Sequence, residues 1–263
     1  MSETPLDMAH GAMTAAPDND AERLRFYDAL ADATLFLLLE CEPEGEAVEP
    51  RTLEVEGATF VLAFDSEERL VDFAAQTAPY AALSGRALAG MLSGQALGLG
   101  LNLDVAPSSV LLPAAAMDWL AQMLETSPDE DRAGVRALVP PDLPETLVTA
   151  LEAKLARAGG LARQAWLVGA RYVDGRAGHL LAVLDATPGA QAALAKAVGE
   201  ALVFSGAEAG TLDVTFWPED SMIAARLADV GLRFDLPVPE AEDAVQVPGA
   251  APGMDPSKPP KLK

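Results

Sequence analysis

The side chains suited to proton transfer or nucleophilic attack near neutral pH are few: two histidines, His10 and His179, and one cysteine, Cys41. His10 lies in a small, polar N-terminal segment. His179 follows Gly178 at the start of an apolar run and reads as a surface or edge histidine. A serine hydrolase would have to use His179, yet no G-x-S-x-G elbow occurs. Ser84, Ser93 and Ser205 each precede a glycine, which is the pattern of turns and caps. Cys41 sits between Glu40 and Glu42, and neighbouring carboxylates work against the thiolate that a nucleophile needs.

Cofactor chemistry is equally sparse. No G-x-x-x-x-G-K-[ST] is present, and Gly98-Leu-Gly100 lacks the third glycine of a dinucleotide fingerprint. Cys/His clusters for a metal are absent, and the acidic run Glu40–Glu56 lacks the Asp/Asn-Gly spacing of a calcium loop. No cofactor and no metal is expected. Aromatic residues give a better lead, because Trp and Tyr are enriched in binding hot spots. Trp217 stands between Phe216 and Pro218 at a strand-to-helix junction, and Tyr80 and Trp119 are expected near one another. These three are the candidate binding residues, with a core or boundary role as the plain alternative for each ring.

Charge excludes whole classes of partner. The 263 residues hold 40 Asp and Glu against 18 Lys and Arg, a net charge of −22. Nucleic acid and anionic membranes are bound by clustered cations, so neither is expected as a partner. A single cysteine points to a reducing compartment. The N-terminal residues have neither the basic nor the apolar region of a secretory signal, and no run reaches the length of a membrane span. A cytoplasmic location is the expectation.

The elements that would position any site are more legible. Residues 60–64 (FVLAF) form a short apolar run stopped by Asp65-Ser66, which reads as a buried strand followed by a helix cap. Asp65 and Glu68 have capping-box spacing, and Leu70, Phe73 and Ala74 form an apolar stripe. After a linker, Ser84 caps a short helix with Leu88, Met91 and Leu92 on one face. Residues 97–103 read as a strand with glycines on alternate positions, a bare face on which something packs closely. Around this stretch the spacing predicts a helix over 20–33 with Leu24, Tyr27 and Leu30 inward, and strands over 34–39, 52–55 and 109–112. A helix from Pro113 to Leu124 carries Met117, Leu120 and Leu124 on its core face.

The charged stretch ending in Pro140-Pro141 predicts a domain boundary. Beyond it, Asp142 and Glu145 are spaced to cap a helix with stripe Leu147, Leu151 and Leu155, ended by Gly159-Gly160. Strands over 164–172 and 179–184 form a hairpin around Asp174-Gly175. A helix to about Phe204, a strand over 211–216, a helix over 218–230 and a last strand over 232–236 follow. The predicted organisation is therefore a disordered N-terminus (1–19), an α+β domain (20–125), a linker (126–141), a second α+β domain (142–236) and a disordered Pro-rich tail (237–263). Each domain is expected to be a mixed sheet covered by helices.

Three segments together resemble the N-terminal domain of the SseB family: VLAFDSEERLVDFA, PYAALSGRALAGML and LGLGLNLDVAPSSVLLPAAAMDWLAQML. Residues 142–237 resemble that family's C-terminal domain through weaker motifs. The resemblance implies a bacterial cytoplasmic protein of a family named for enhanced serine sensitivity on overexpression, and it supplies no catalytic residues. The functional expectation is a non-catalytic protein-interaction module or adaptor with an unidentified protein partner. A small-molecule binder, of amino acids for example, using a groove between the domains is the alternative. An enzyme built on Asp/Glu acid–base chemistry comes third, since sequence cannot show two carboxylates in contrasting environments.

Overall fold

The computed structural model describes residues 3–42, 48–125, 133–207 and 211–237. The predicted linker's first half, the centre of the acidic loop and the tail from 238 onward lie outside the described residues.

The first unit is built on a six-stranded mixed sheet. Its strands are β1 (Thr34–Leu38), β2 (Thr52–Val55), β3 (Ala58–Phe64), β4 (Tyr80–Ser84), β5 (Leu97–Leu101) and β6 (Val110–Leu112). They run in the order β4-β1-β3-β5-β6, and β2 shares one edge of β3 end to end with β1. β3 and β5 are parallel and the other pairs antiparallel. The bare face of β5 is real: a Cβ on Gly98 would lie 2.5 Å from the Phe60 ring and 2.6 Å from the Leu112 carbonyl oxygen.

The helices are α1 (Pro5–Ala15), α2 (Asp20–Asp32), α3 (Glu67–Ala74), α4 (Gly85–Leu92) and α5 (Ala114–Glu125). α1, α2, α4 and α5 form the main core with one face of the sheet, around Phe26, Leu30, Leu37, Val61, Leu88, Leu99, Met117 and Leu120. α3 covers the other face, where Leu70 meets Leu38, Leu62 and Phe64.

The second unit is a five-stranded mixed sheet in the order β10-β9-β8-β11, with β7 on the same edge of β8 as β11. Its strands are β7 (Val135–Val139), β8 (Gln164–Tyr172), β9 (Ala177–Leu184), β10 (Leu212–Trp217) and β11 (Leu232–Asp235). β9 and β10 are parallel, joined through α7 (Gln191–Phe204) as a βαβ unit. α6 (Glu145–Arg157) and α7 cover one face, and α8 (Met222–Val230) packs on the other. The expected α+β class, with mixed sheets covered by helices, is the observed one. No helix among the described residues is long and apolar enough to cross a membrane.

Several expectations are corrected. The N-terminal segment is not featureless: Pro5–Ala15 is a helix capped by Thr4, with a reciprocal capping box to Asp7, and Leu6 and Asp7 are buried. The linker before Ser84 contains β4, and the stretch before Pro140 contains β7; both are strands because a neighbour supplies their partner. Asp142 does not cap α6, which has Pro144 at its N-cap and no side-chain cap bond. Of the two cap candidates, Asp65 and Ser66, it is Ser66 that caps α3, without the Asp65–Glu68 box. Met91 is exposed, and Phe26 takes the core position of α2 while Leu24 and Tyr27 are half-buried. His179 is not an edge residue: β9 is interior, and His179 pairs with Gly169 on one side and Leu212 on the other.

Candidate functional site

The three predicted aromatics lie in three places. Tyr80 is on the edge strand β4, exposed, 5.5 Å ring to ring from Phe36. Its hydroxyl is held above the ordinary value chiefly by its hydrogen bond to Glu67. Trp217 ends β10, half-buried against the cluster under α8. Trp119 is on α5, edge to face with Tyr27 at 5.0 Å and with Phe204 at 6.4 Å. Tyr80 and Trp119 therefore keep different ring neighbours.

Trp119 belongs to a chain of edge-to-face rings that sequence spacing did not reveal. His10 meets Phe26 at 5.7 Å, Phe26 meets Tyr27 at 5.6 Å, and Trp119 links Tyr27 to Phe204. The chain runs from α1 through α2 and α5 to the end of α7. Beside it Arg23, Leu24, Tyr27, Ala116 and Trp119 line a hollow of 250 Å³. Arg23 is half exposed and pairs with Asp20 at 2.9 Å. Burial raises the Tyr27 hydroxyl, opposed by the Arg23 charge, so it stays a neutral donor.

Phe204 is also where the two units meet. It is 2% exposed and packs in the first unit's core. Just beyond it, Gly206 takes a left-handed φ of 64°, with Ala21 and Leu24 3.3 Å from where a Cβ would be. Six charged groups complete the seam. On α2, Asp28 and Asp32 face Lys154 Nζ at 2.7 Å each. Arg86 on α4 reaches Asp32 at 2.9 Å and Glu200 of α7 at 2.9 Å. Lys154 lies 3.4 Å from Glu200, and Arg157 closes on Asp32.

Burial pushes Asp28 up against the pull of Lys154. It also acts to raise Asp32 and Glu200, but their cations outweigh it and hold both below the ordinary range. Burial acts to lower Lys154, and its carboxylates outweigh that, so it remains charged. Along α2, α4, α6 and α7 the space between the units is thus filled by side chains. A sequence signal for this existed: Asp28 and Asp32 are like charges at i, i+4, which need an outside cation, and Lys154 sits on the buried stripe of α6.

A second polar cluster pins α1. Arg69 on α3, 3% exposed as a side chain, bonds both oxygens of Asp65 at 2.7 and 2.9 Å and both oxygens of Asp7. The Ser108 hydroxyl donates to Asp7 at 2.6 Å, Asn102 Nδ2 donates to Ser108 at 2.8 Å, and Thr4 donates to Asp65 at 2.6 Å. Burial acts to raise Asp7, yet the bonds from Arg69, Ser108 and the Thr4 amide hold it well below the carboxylate range. Every partner in this cluster is satisfied, so its chemistry is cohesive.

Two further reactive groups, Cys41 and His179, lie outside these clusters. Cys41 is exposed, 3.9 Å from Glu49. His179 Nδ1 is buried with no hydrogen-bond partner among the described residues. Among the described residues no group of three or more His, Cys, Asp and Glu is placed to hold a metal ion.

Residues 10–119 match the family described as SseB protein N-terminal domain. The first unit is thus similar to the SseB N-terminal domain along nearly its whole length. Asp65, Arg69, Asn102 and Ser108 of the buried cluster fall inside that span, as do Tyr27 and Trp119. No curated protein and no solved structure matches the chain.

Proposed function

We propose that the chain is a non-catalytic protein-interaction module whose contact site is the hollow of Arg23, Leu24, Tyr27, Ala116 and Trp119. The carrying observation is its composition: Trp, Tyr and Arg converge on one concave spot of 250 Å³. Those three residue types dominate protein-binding hot spots. The volume falls below the roughly 300–1,000 Å³ of small-molecule pockets, and it suits one apolar side chain of a partner. The reading of residues 142–237 as an SseB C-terminal domain is part of the proposal. In this reading the second unit braces the site, since Phe204 packs behind Trp119.

The test is capture from a lysate of the host with the tagged chain, its Arg23→Glu variant and its Ala116→Arg variant, read by quantitative mass spectrometry. Both substitutions touch the hollow and leave Phe204 and Trp119 in place. A partner recovered by the native chain and lost with both variants supports the site. A partner retained by both variants, or none recovered, overturns it. A thermal-shift screen of amino acids then examines the alternative, because a ligand at 100 times its Kd adds about 2.7 kcal/mol.

A further inference from the structure

The second sheet ends in an edge that lacks the usual protection. His179 N–H donates to Thr211 and Asp185 N–H donates to Trp217, which fixes the phase of the parallel β9–β10 ladder. Odd-numbered residues of β10 therefore bond to β9. The N–H and C=O groups of Leu212, Val214 and Phe216 point away from it, and no strand among the described residues covers them. Exposed edges are normally blunted by charge, proline, bulges or short length.

The other free-edge strands show these devices. β6 has three residues, β2 carries Glu54, β11 carries Arg233 and Asp235, and β7 carries Arg136 and a bulge. β4 turns outward only at Tyr80 and Ala82 before Ser84 caps α4. β10 is six residues, LDVTFW, with one charge, Asp213, and no proline or bulge.

We infer that β10 pairs antiparallel with β10 of a second copy, joining two five-stranded sheets across a two-fold axis at Val214. Only residues of like parity can face each other across such a ladder. The register Leu212–Phe216′, Val214–Val214′ is the one in which all three outward residues of both copies are bonded. It sets Asp213 opposite Thr215′, a carboxylate opposite a hydroxyl. Moving the axis to Asp213 would oppose Asp213 to its own copy and strand Phe216; moving it to Thr215 would strand Leu212. The charge pattern thus excludes the Asp213 axis, and the hydrogen bonds disfavour both alternatives.

The flank agrees. α7 packs on β10 and would lie beside its counterpart on one face of the joined sheet. Its two charges are Lys196 and Glu200, and Glu200 is buried against Arg86 and Lys154. In a chain of net charge −22 this is a charge-poor surface on which two copies can approach. The surface is separate from the hollow on α2 and α5.

The test is sedimentation equilibrium of the full chain from low micromolar upward, with hydrogen exchange on the same samples. The expected mass rises toward twice that of one chain, and rises further with salt, which screens the repulsion of two acidic bodies. Val214→Pro removes an outward N–H and leaves the β9 ladder donors intact, so it should hold the mass at one chain with an unchanged circular dichroism spectrum. Should that variant fail to fold, the native chain still decides. The amides of Leu212, Val214 and Phe216 should gain protection with concentration while those of Asp213, Thr215 and Trp217 are protected throughout. A single-chain mass at every concentration overturns the inference. So does a dimer in which those three amides exchange freely, or one that survives in folded Val214→Pro.

Discussion

Substituting Asp7 by Asn should undo the attachment of α1, and the size of the effect follows from the contacts. The carboxylate accepts five hydrogen bonds, from the Thr4 amide, two Arg69 nitrogens, and the Ser108 amide and hydroxyl. Its side chain is 1% exposed. In Asp7→Asn one oxygen becomes an NH2 group, so at least two donors meet a donor, and buried Arg69 loses one of two counter-charges. Breaking a buried pair costs about 3–5 kcal/mol. Asp65 still grips Arg69 through both oxygens, so the lower end, about 3 kcal/mol, is expected. At a urea m-value of about 2 kcal/mol/M the midpoint would fall by roughly 1.5 M.

The pH dependence tests the cause. Asp7 is held below its unfolded value of about 3.9, so its stabilisation is complete above that value and declines as pH falls toward the folded one. By pH 3 the native chain should have lost about 1.3 kcal/mol from this group alone, while the Asn variant loses nothing there. The gap between the two proteins should therefore narrow by that amount between pH 7 and pH 3. Urea titrations followed by tryptophan emission, with hydrogen exchange of the α1 amides as the local readout, measure both quantities. A loss below about 0.5 kcal/mol, or a gap that is flat with pH, would refute the reasoning.

Three other outcomes are expected. Lys154→Met leaves Asp28, Asp32 and Glu200 with Arg86 and Arg157 alone; stability should fall by about 3 kcal/mol at pH 7.5, and by less at a second, acidic pH, because burial already pushes the Asp28 carboxyl toward its neutral form. Thermal melts at the two pH values check this. Phe204→Ala should cost about 3–5 kcal/mol in urea unfolding and shift Trp119 emission to the red, because the ring behind it is lost. Gly85→Ala places a Cβ 1.8 Å from the Leu30 carbonyl oxygen, a backbone atom, so α4 must move off the end of α2. A loss of at least roughly 1–3 kcal/mol is expected, and an unchanged melting temperature would contradict the close approach.

What sequence could and could not reveal follows from where each signal is stored. β3, α3, α5, β8 and β11 were legible because their periodicity, stops and caps are local. The Ser84 cap and the bare face of β5 are legible too, since a cap and a bare strand face are properties of a few adjacent residues. β4 and β7 are not, because YAALS and VRALV become strands through β1 and β8, far away in sequence. α1 reads as a tail in sequence because its few apolar residues hide its anchor. That anchor is Asp7 on Arg69, 62 residues away. The candidate site divides the same way. Trp119 was singled out by residue type alone, while Tyr27 and Arg23 joined it only once α2 was laid against α5.

The seam and the net charge together constrain how the hollow can be used. Asp28, Asp32 and Glu200 balance Arg86, Lys154 and Arg157, so the junction is neutral, and Arg69 is consumed by Asp7 and Asp65. Four of the 18 cations are thereby paired with five carboxylates, and two of the four, Lys154 and Arg69, are buried. The remaining surface is strongly acidic around a hollow whose own charged residue is Arg23. A partner that inserts an apolar side chain there must cross that field, so it should carry a basic rim. Its association rate should fall steeply as salt is raised, while its dissociation rate, set by contacts with Tyr27 and Trp119, should change little. A captured partner whose association is insensitive to salt would place the contact away from this face.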